Sequence, residues 1–206
     1  MADYVLVGGG GFAREIYDWF TPSLTAAGSR FVGYLDDGDN PMQAYGHALP
    51  QLGRIVDYRP DPAHRLVMAI GAPAGKQAVA AQLGTTAFAT LIHPTAWVSA
   101  SSTIGAGAII GVFAHVSANA TVGPLATINA YSGVGHDATL GAYATLSAHV
   151  DLTGNVTVGE ATFVGAGARI LPRVRIGQRC TVGAGAVVVR STGDDVTLYI
   201  PPARRL

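Results

Sequence analysis

Hydrophobic side chains recur every six residues through the second half of the chain. From Val98 to Val188, each sixth residue is a branched aliphatic, without interruption. The residue two positions before each aliphatic is mostly alanine or another small or modest side chain. Because residues two apart in a strand share a face, each six-residue unit directs one large and one small side chain to the same interior.

A six-residue period predicts a β-solenoid with three flat sides. It matches neither the 3.6-residue period of an α-helix nor a heptad. Three such units make one coil, and the strands of successive coils stack about 4.8 Å apart. The residue after each aliphatic is usually Gly, Ser, Thr or Asn, as in Gly105 and Gly123. We expect these residues to form tight corners with positive φ.

The first 92 residues follow a different pattern, in which strands and helices alternate. An apolar strand over residues 4–7 meets four glycines and then an amphipathic helix. The elements that follow are strands over residues 31–35, 66–70 and 87–92 and a helix near 74–83. This order predicts an α/β domain over residues 1–92, resembling half of a Rossmann fold, before an all-β domain with a C-terminal tail over residues 93–206.

The glycines of the front domain have the spacing of a phosphate-binding turn. Gly8 and Gly10 are followed by Ala13 in the third position of that motif. Ligands bind at the carboxyl ends of parallel strands, where Asp36-Asp37 and Gly71 also fall. The unit is short for a full dinucleotide fold, so a nucleoside diphosphate is favoured over NAD. The alternative is that the glycines only close a tight turn.

Composition narrows the possible partners. The chain has 13 basic and 13 acidic residues and a formal net charge of zero, so neither nucleic acid nor an anionic membrane is an expected partner. It carries no secretory signal pattern and no apolar run of transmembrane length, and its single cysteine excludes an intramolecular disulfide framework. A cytoplasmic protein without a bound metal is expected.

Together the two halves resemble the bacterial sugar O-/N-acyltransferases of the sialic acid O-acetyltransferase type, which carry hexapeptide repeats. The resemblance covers nearly the whole chain. It depends on residues 8–15, 35–37, 69–71, 91–94, 128–129, 135–137, 154–156 and 202–204. The resemblance, rather than the period, implies that the β-helix is left-handed and that the protein is a homotrimer.

The closest-looking branch of that family transfers an acetyl group from acetyl-CoA to the 4-amino group of a UDP- or GDP-linked 4-amino-4,6-dideoxy sugar. The resemblance implies that His136 is the general base, in a cleft between two subunits, and that Asp137 orients its ring. Imidazole suits this role because it titrates near operating pH. The amide of Gly154 would hold the thioester oxygen, and the alternative is that Gly154 is a plain corner glycine. Direct attack is expected, because Cys180 belongs to the inward ladder.

The resemblance also implies two sets of binding residues. The expected acetyl-CoA-binding residues are Asn129, Thr145, Ala166, Ala184 and Arg190. The expected nucleotide-sugar-binding residues are Gly8, Gly10, Gly11, Phe12, Asp36, Asp37 and Gly71. Coenzyme A phosphates favour an arginine cluster, for which the chain offers Arg169, Arg173, Arg190, Arg204 and Arg205.

Several residues depart from the family pattern. Thr145 and Phe12 stand where a close branch has histidines, and residues 200–202 replace a Gly-x-Pro sequence. His149 is a second candidate for the base, whereas His93 is expected to cap the junction between the domains.

Two other functions are compatible with the pattern: a sugar O-acetyltransferase, and a purely structural β-solenoid without an enzymatic site. A nucleotidyltransferase regulatory coil is disfavoured because the front domain is too small.

Overall fold

The computed structural model describes residues 2–39 and 41–201, which form a small α/β layer and a three-walled β-helix. The fold class expected from the sequence, an α/β front domain and a left-handed parallel β-helix, is confirmed. No helix of the described residues is long and apolar enough to cross a bilayer.

The front domain has four parallel strands and two helices. They are β1 (Asp3–Val7), α1 (Gly11–Ala26), β2 (Arg30–Leu35), β3 (Gln51–Gly53), β4 (His64–Met68) and α2 (Pro73–Leu83), with 3₁₀ turns at Gln43–Tyr45 and Thr85–Ala87. The sheet order is β3-β2-β1-β4. The chain moves outward from β1 to β3 and then returns to the other side of β1, so the order reverses between β1 and β4. Open parallel sheets bind ligands at such a switch point.

Helix α1 packs on the sheet through side chains spaced three and four residues apart. Ala13, Ile16, Phe20 and Leu24 are buried, as the amphipathic pattern predicts. Its N-cap, Gly10, makes no side-chain capping bond. The first backbone amides of α1 therefore lie directly at the glycine turn.

Two features of the front domain differ from the sequence-based prediction. The three-residue strand β3 was not predicted, because Gln51–Gly53 is too short to have a hydrophobic period. The strand predicted over residues 87–92 is wrong in its extent. Phe88 forms a single bridge to Leu66, while Leu91–Ile92 pairs with Ile109–Ile110 and begins the β-helix.

The β-helix has three walls of two-residue strands. Wall 1 contains Leu91–Ile92, Ile109–Ile110, Thr127–Ile128, Thr145–Leu146, Phe163–Val164, Thr181–Val182 and Thr197–Leu198. Wall 2 contains Trp97–Val98, His115–Val116, Gly133–Val134, Asp151–Leu152, Arg169–Ile170 and Val187–Val188. Wall 3 contains Thr103–Ile104, Thr121–Val122, Thr139–Leu140, Thr157–Val158 and Arg175–Ile176. Register partners are one coil apart, and each pairing is parallel.

The connections between walls form three edges. Edge 1–2 contains residues 93–95, 111–113, 129–131, 147–149, 165–167 and 183–185. Edge 2–3 contains residues 99–101, 117–119, 135–137, 153–155, 171–173 and 189–191. Edge 3–1 contains residues 105–107, 123–125, 141–143, 159–161 and 177–179.

The interior of the column has the predicted composition. From Ala108 to Val188, the second residue of each strand and most of the residues two positions earlier form one continuous buried cluster, which includes Ile110, Ala126 and Ile128. Ile92, in the first strand, is 43% exposed. Cys180 is buried in this ladder at 2% exposure. The period therefore specifies the core, because every coil repeats the same inward pair.

The corner prediction was wrong about which residue takes the left-handed conformation. Positive φ occurs at the third residue after the aliphatic, as at Asn119 (φ 58°) and Asp137 (φ 58°). The glycine directly after the aliphatic has another cause. A Cβ on Gly123 would lie 2.5 Å from the amide nitrogen of Ala142, and one on Gly141 would lie 2.6 Å from that of Glu160. Close stacking of successive coils excludes a side chain at these positions of edge 3–1, whereas Ser117, Asn129 and Thr153 occupy the equivalent position on the other two edges.

The front domain covers wall 1. Ile109 (1% exposed) belongs to the apolar cluster around α1, and Leu125 on edge 3–1 (1% exposed) belongs to the cluster around α2. Outward residues of the first four strands of this wall, from Leu91 to Thr145, are therefore buried, whereas Thr181 and Thr197 further along it are exposed, as are Thr103 and Thr121 at equivalent positions on wall 3.

Candidate active site

A histidine–carboxylate pair lies on edge 2–3. His136 Nδ1 is 2.7 Å from Asp137 Oδ2, and both side chains are largely exposed. The left-handed backbone of Asp137 turns the chain at this point, so that adjacent side chains meet rather than point to opposite faces. Asn119, one coil earlier, donates to Asp137 Oδ1 at 3.2 Å. The carboxylate is thus oriented from two sides.

Two hydrogen bonds define the protonation of Asp137. The hydrogen bond from His136, and next the one from Asn119, lower the pKa of Asp137 below its usual value. Asp137 is therefore an ionised acceptor around neutral pH, and its partner nitrogen, Nδ1, carries the hydrogen. In the neutral imidazole this leaves Nε2 as the basic nitrogen.

Gly154 lies directly beside the imidazole, one coil further along. A Cβ on Gly154 would overlap Nε2 of His136 and would lie 3.0 Å from its Cδ2. The amide of Asn155 donates to the carbonyl of His136 at 2.9 Å, which holds the two coils in register. The imidazole ring of His136 therefore fits here because residue 154 has no side chain.

The predicted nucleotide-binding residues meet at the carboxyl edge of the front sheet. Gly8, with φ of 110°, ends β1 next to Ala69, which follows β4. The amide of Gly9 donates to Asp36 Oδ2 at 2.7 Å, and the amide of Gly38 donates to Asp36 Oδ1 at 2.8 Å. Asp36 thus ties the glycine turn to the end of β2. The expected binding crevice is the space outside the carboxyl ends of β1 and β4, where the strand order reverses, and this edge lies beside the turn.

The remaining residues of that set have different surroundings. Asp37 Oδ1 accepts the amide of Val56 at 3.2 Å. Phe12 packs edge-on against Trp19, with ring centroids 6.4 Å apart. Gly71 follows β4, and a Cβ there would meet no atom within 4 Å, so this position faces open space.

Sequence reasoning missed Arg14, which follows the glycine turn by one helical turn. Its guanidinium carbon lies 3.7 Å from the ring centroid of Tyr45, and its Nη2 is 3.7 Å from where a Cβ on Gly11 would be. The sequence signal for Arg14 was available: it is a basic residue in the first turn of a helix that begins at a glycine motif. It places a positive charge beside the predicted phosphate turn.

The predicted acetyl-CoA-binding residues are distributed over different parts of the column. Asn129, Ala166 and Ala184 lie on edge 1–2, and Thr145 lies on wall 1. Arg190, on edge 2–3, lines a cleft of about 250 Å³ together with Val187, Tyr199 and Ile200. Of the expected arginine cluster, Arg169 lies on wall 2 and Arg173 on edge 2–3, while Arg204 and Arg205 lie outside the described residues, as do residues 202–204 of the family ending.

Three further histidines have packing partners. His93 Nε2 is 3.1 Å from the carbonyl of Trp19, so it links α1 to the start of the β-helix, as expected. His149 stacks on Tyr131, with ring centroids 4.9 Å apart and planes 2° from parallel. The ring of His115 lies over Gly133 on wall 2. The edge that carries His149 is not the edge that carries His136.

Lys76 on α2 is a second residue that the sequence did not single out. It is fully buried, and its ammonium donates to Leu125 O at 3.1 Å, Thr127 Oγ1 at 2.9 Å and Ala144 O at 3.1 Å. Burial lowers the pKa of Lys76 well below its usual value. These contacts join the front domain to the β-helix.

The two predicted halves of the site lie on opposite sides of one chain. The front domain covers wall 1, and in a three-walled column the edge opposite wall 1 is edge 2–3, which carries His136, Asp137 and Gly154. A ligand in the front crevice is therefore separated from His136 of the same chain by the width of the column.

Comparisons with known proteins agree with this architecture. Residues 155–190 match the family model of the bacterial transferase hexapeptide (six repeats). No curated protein sequence matches the chain. PerB from Caulobacter crescentus, whose structure is of the complex with CoA and GDP-perosamine, is 34% identical in sequence to this chain. The match covers 96% of this chain and 93% of that chain, with a TM-score of 0.83.

Two other relatives have similar coverage. A variant of perosamine N-acetyltransferase from C. crescentus with one histidine replaced by asparagine, also in complex with CoA and GDP-perosamine, is 33% identical over 96% of this chain and 93% of its own, with a TM-score of 0.82. The acetyltransferase domain of PglB from Neisseria gonorrhoeae in complex with acetyl coenzyme A is 25% identical over 95% of this chain and 94% of its own, with a TM-score of 0.82. The chain belongs to the hexapeptide-repeat sugar acyltransferases.

Proposed function

We propose that this protein transfers the acetyl group of acetyl-CoA to the 4-amino group of a nucleotide-linked 4-amino-4,6-dideoxy sugar. The observation that carries the proposal is the His136–Asp137 pair, whose bonded Nδ1 leaves Nε2 as the base beside Gly154. The similarity to PerB, whose structure contains CoA and GDP-perosamine, supports the choice of both substrates.

In the proposed reaction, the sugar amine attacks the thioester carbonyl while His136 Nε2 accepts a proton from the nitrogen. The tetrahedral intermediate collapses with release of the coenzyme A thiolate, which takes up a proton, and the N-acetyl product remains. Asp137 stabilises the imidazolium, since its lowered pKa keeps it negatively charged. The amide of Gly154 is proposed to donate to the developing oxyanion, a contribution of about 3 kcal/mol for a well-placed donor.

The acceptor nucleotide is proposed to bind in the crevice between β1 and β4. The uncapped N-terminus of α1 offers free amides to a diphosphate, and Arg14 adds a positive charge next to the glycine turn. Asp36 holds that turn, so its role is to support the binding backbone. The open side of Gly71 lines the same crevice.

The acetyl-CoA is proposed to lie along the exposed small residues Ala166 and Ala184, where little side chain blocks the backbone. Arg190, in the cleft with Val187 and Tyr199, offers a charge for the coenzyme phosphates and apolar walls beside it. Asn129 lies further along the same edge as the two alanines.

The active protein is proposed to be a homotrimer in which each site is shared by two chains. Edge 2–3 of one chain must approach the front domain of another chain, because edge 2–3 lies on the side of the column opposite the front domain of its own chain. Edge 3–1 is covered by the front domain, with Leu125 at 1% and Ala161 at 8% exposure. Edge 1–2 is open and carries exposed apolar rings at Phe113 and Tyr131, so it is the side that receives the neighbouring chain.

Substitution of Tyr131 tests this assembly. Tyr131 is 52% exposed and lies between Phe113 and His149, with centroid separations of 5.1 and 4.9 Å. We expect Tyr131→Glu to convert the trimer to monomers at micromolar concentration, because aromatic residues at the centre of an interface contribute much of its energy. Light scattering after gel filtration measures the mass. Thr103→Glu, which alters an exposed side chain on wall 3, should remain trimeric. A trimeric Tyr131→Glu protein would contradict the assignment of edge 1–2.

The proposed activity is tested by incubating the protein with acetyl-CoA and a panel of UDP- and GDP-linked 4-amino sugars while following free thiol release. We expect turnover with at least one nucleotide amino sugar and a mass increase of one acetyl group on the sugar. Turnover of free sialic acid or of a sugar hydroxyl, without turnover of the amino sugars, would replace the proposal with O-acetylation. Absence of coenzyme A binding would favour a structural β-helix.

A further inference from the structure

The loop between β4 and α2, here called the acceptor loop (residues 69–72), is held against wall 1 by a side chain of the β-helix. The hydroxyl of Thr145 donates to the carbonyl of Gly71 at 2.7 Å. Thr145 is only 4% exposed, although its side chain points outward from the wall. The other side of Gly71 is open. The β-helix thus holds the backbone of the loop on one side, and the opposite side of Gly71 faces the crevice.

A second contact fastens the start of α2, five residues further along the chain. The ammonium of Lys76 donates to Thr127 Oγ1 and to Ala144 O. Thr127 is the register partner of Thr145, and Ala144 directly precedes Thr145 in the chain. Its third hydrogen bond goes to Leu125 O. All three donors of the ammonium thus have acceptors on adjacent coils, which is what a buried cation requires.

These contacts leave Thr145 poorly placed to bind a thioester in its own chain. Its hydroxyl is committed to Gly71, and its side chain lies beneath the front domain on the wall opposite His136. The acceptor loop, by contrast, lies at the switch point where the nucleotide is proposed to bind. The two contacts fix the distance between this loop and the β-helix.

We propose that Thr145 and Lys76 are positioning residues that hold the acceptor loop on wall 1 and thereby orient the bound nucleotide sugar. This role rests on the proposed function, and it takes the place of the acetyl-CoA-binding role that the family resemblance implied for Thr145. Neither residue takes part in the chemical step.

A pair of conservative variants tests the proposal. Thr145→Val keeps the shape and removes the hydroxyl, whereas Thr145→Ser keeps the hydroxyl. We expect Thr145→Val to raise the KM for the nucleotide amino sugar about 3- to 10-fold, the effect of one hydrogen bond. The KM for acetyl-CoA should be unchanged, and Thr145→Ser should restore the acceptor KM. Thr121→Val, an exposed threonine at the equivalent position of wall 3, is the matched control and should behave as the parent protein.

The kinetic outcomes separate the two roles. A higher KM for acetyl-CoA with an unchanged acceptor KM would overturn the positioning role in favour of coenzyme binding. Unchanged kinetics in Thr145→Val would overturn it as well, as would a failure of Thr145→Ser to restore the acceptor KM.

Hydrogen exchange provides a readout that does not depend on the substrate. Amides of residues 69–72 and 74–76 should exchange faster in Thr145→Val and in Lys76→Met than in Thr121→Val. If the parent protein turns over none of the amino sugars, the proposed function fails, and this measurement still decides whether the two residues hold the loop. Equal exchange in all variants would overturn the proposal.

Discussion

Replacement of His136 by alanine is expected to lower the rate of acetyl transfer at least about a hundredfold, the usual effect of removing a general base. The amine would then have to lose its proton to water during attack on the thioester. Because the side chain is 64% exposed and is hydrogen-bonded to the adjacent Asp137 rather than to a core residue, the fold should be unaffected. The initial rate of thiol release at saturating substrates measures the effect.

The matched control for this prediction is His115→Ala, since His115 is an exposed histidine on wall 2. It should keep the parent rate within about twofold, as expected for a surface substitution. Binding of both substrates should survive in His136→Ala, because the residues proposed to bind the nucleotide and the coenzyme lie elsewhere in the chain. A loss of less than tenfold would count against His136 as the base.

Introduction of a side chain at Gly154 is expected to cost nearly as much. In Gly154→Val the new Cβ would take the space of His136 Nε2, so the ring must rotate away from Asp137 and from the acceptor. We expect a loss of about a hundredfold in rate, comparable with loss of the base. The melting temperature should change little, since residue 154 lies on an outer edge and not in the aliphatic core.

The double variant His136→Ala/Gly154→Val distinguishes displacement of the ring from a general defect. If the valine acts by moving the imidazole, the double variant should be no slower than His136→Ala, because the two substitutions remove the same interaction. A further loss in the double variant would assign a separate role to Gly154, such as the proposed amide contact with the oxyanion. Gly193→Ala, where a Cβ meets no atom within 4 Å, is the control. Full activity of Gly154→Val would contradict the proposed site.

The sequence alone was sufficient to predict the column and its core. Each coil repeats the same local requirement, one aliphatic and one small inward residue, and stacking makes that requirement identical from Val98 to Val188. The front domain was predictable from other local signals, because β1, β2 and β4 contain short apolar runs and α1 is amphipathic. Short elements without a period, such as Gln51–Gly53, were missed.

The glycine corners show where a local rule was misapplied. A glycine after each aliphatic was taken as a sign of positive φ, whereas the left-handed residue is two positions later and includes Asp137 and His149. The spacing of the sequence does not distinguish a glycine needed for its φ from one needed for close approach. Only the distance to the next coil makes that distinction.

The sequence determined that this protein is a three-walled β-helix with an α/β unit before it, and it identified His136 and Asp137 as adjacent residues on an edge. Only the tertiary structure decided which wall the front domain covers, and therefore that the crevice and His136 lie on opposite sides of one chain. The sequence could not decide this because all three walls have the same six-residue hydrophobic period. The choice of wall depends on contacts between distant residues, such as Lys76 with Ala144 and Thr145 with Gly71, which no local pattern contains.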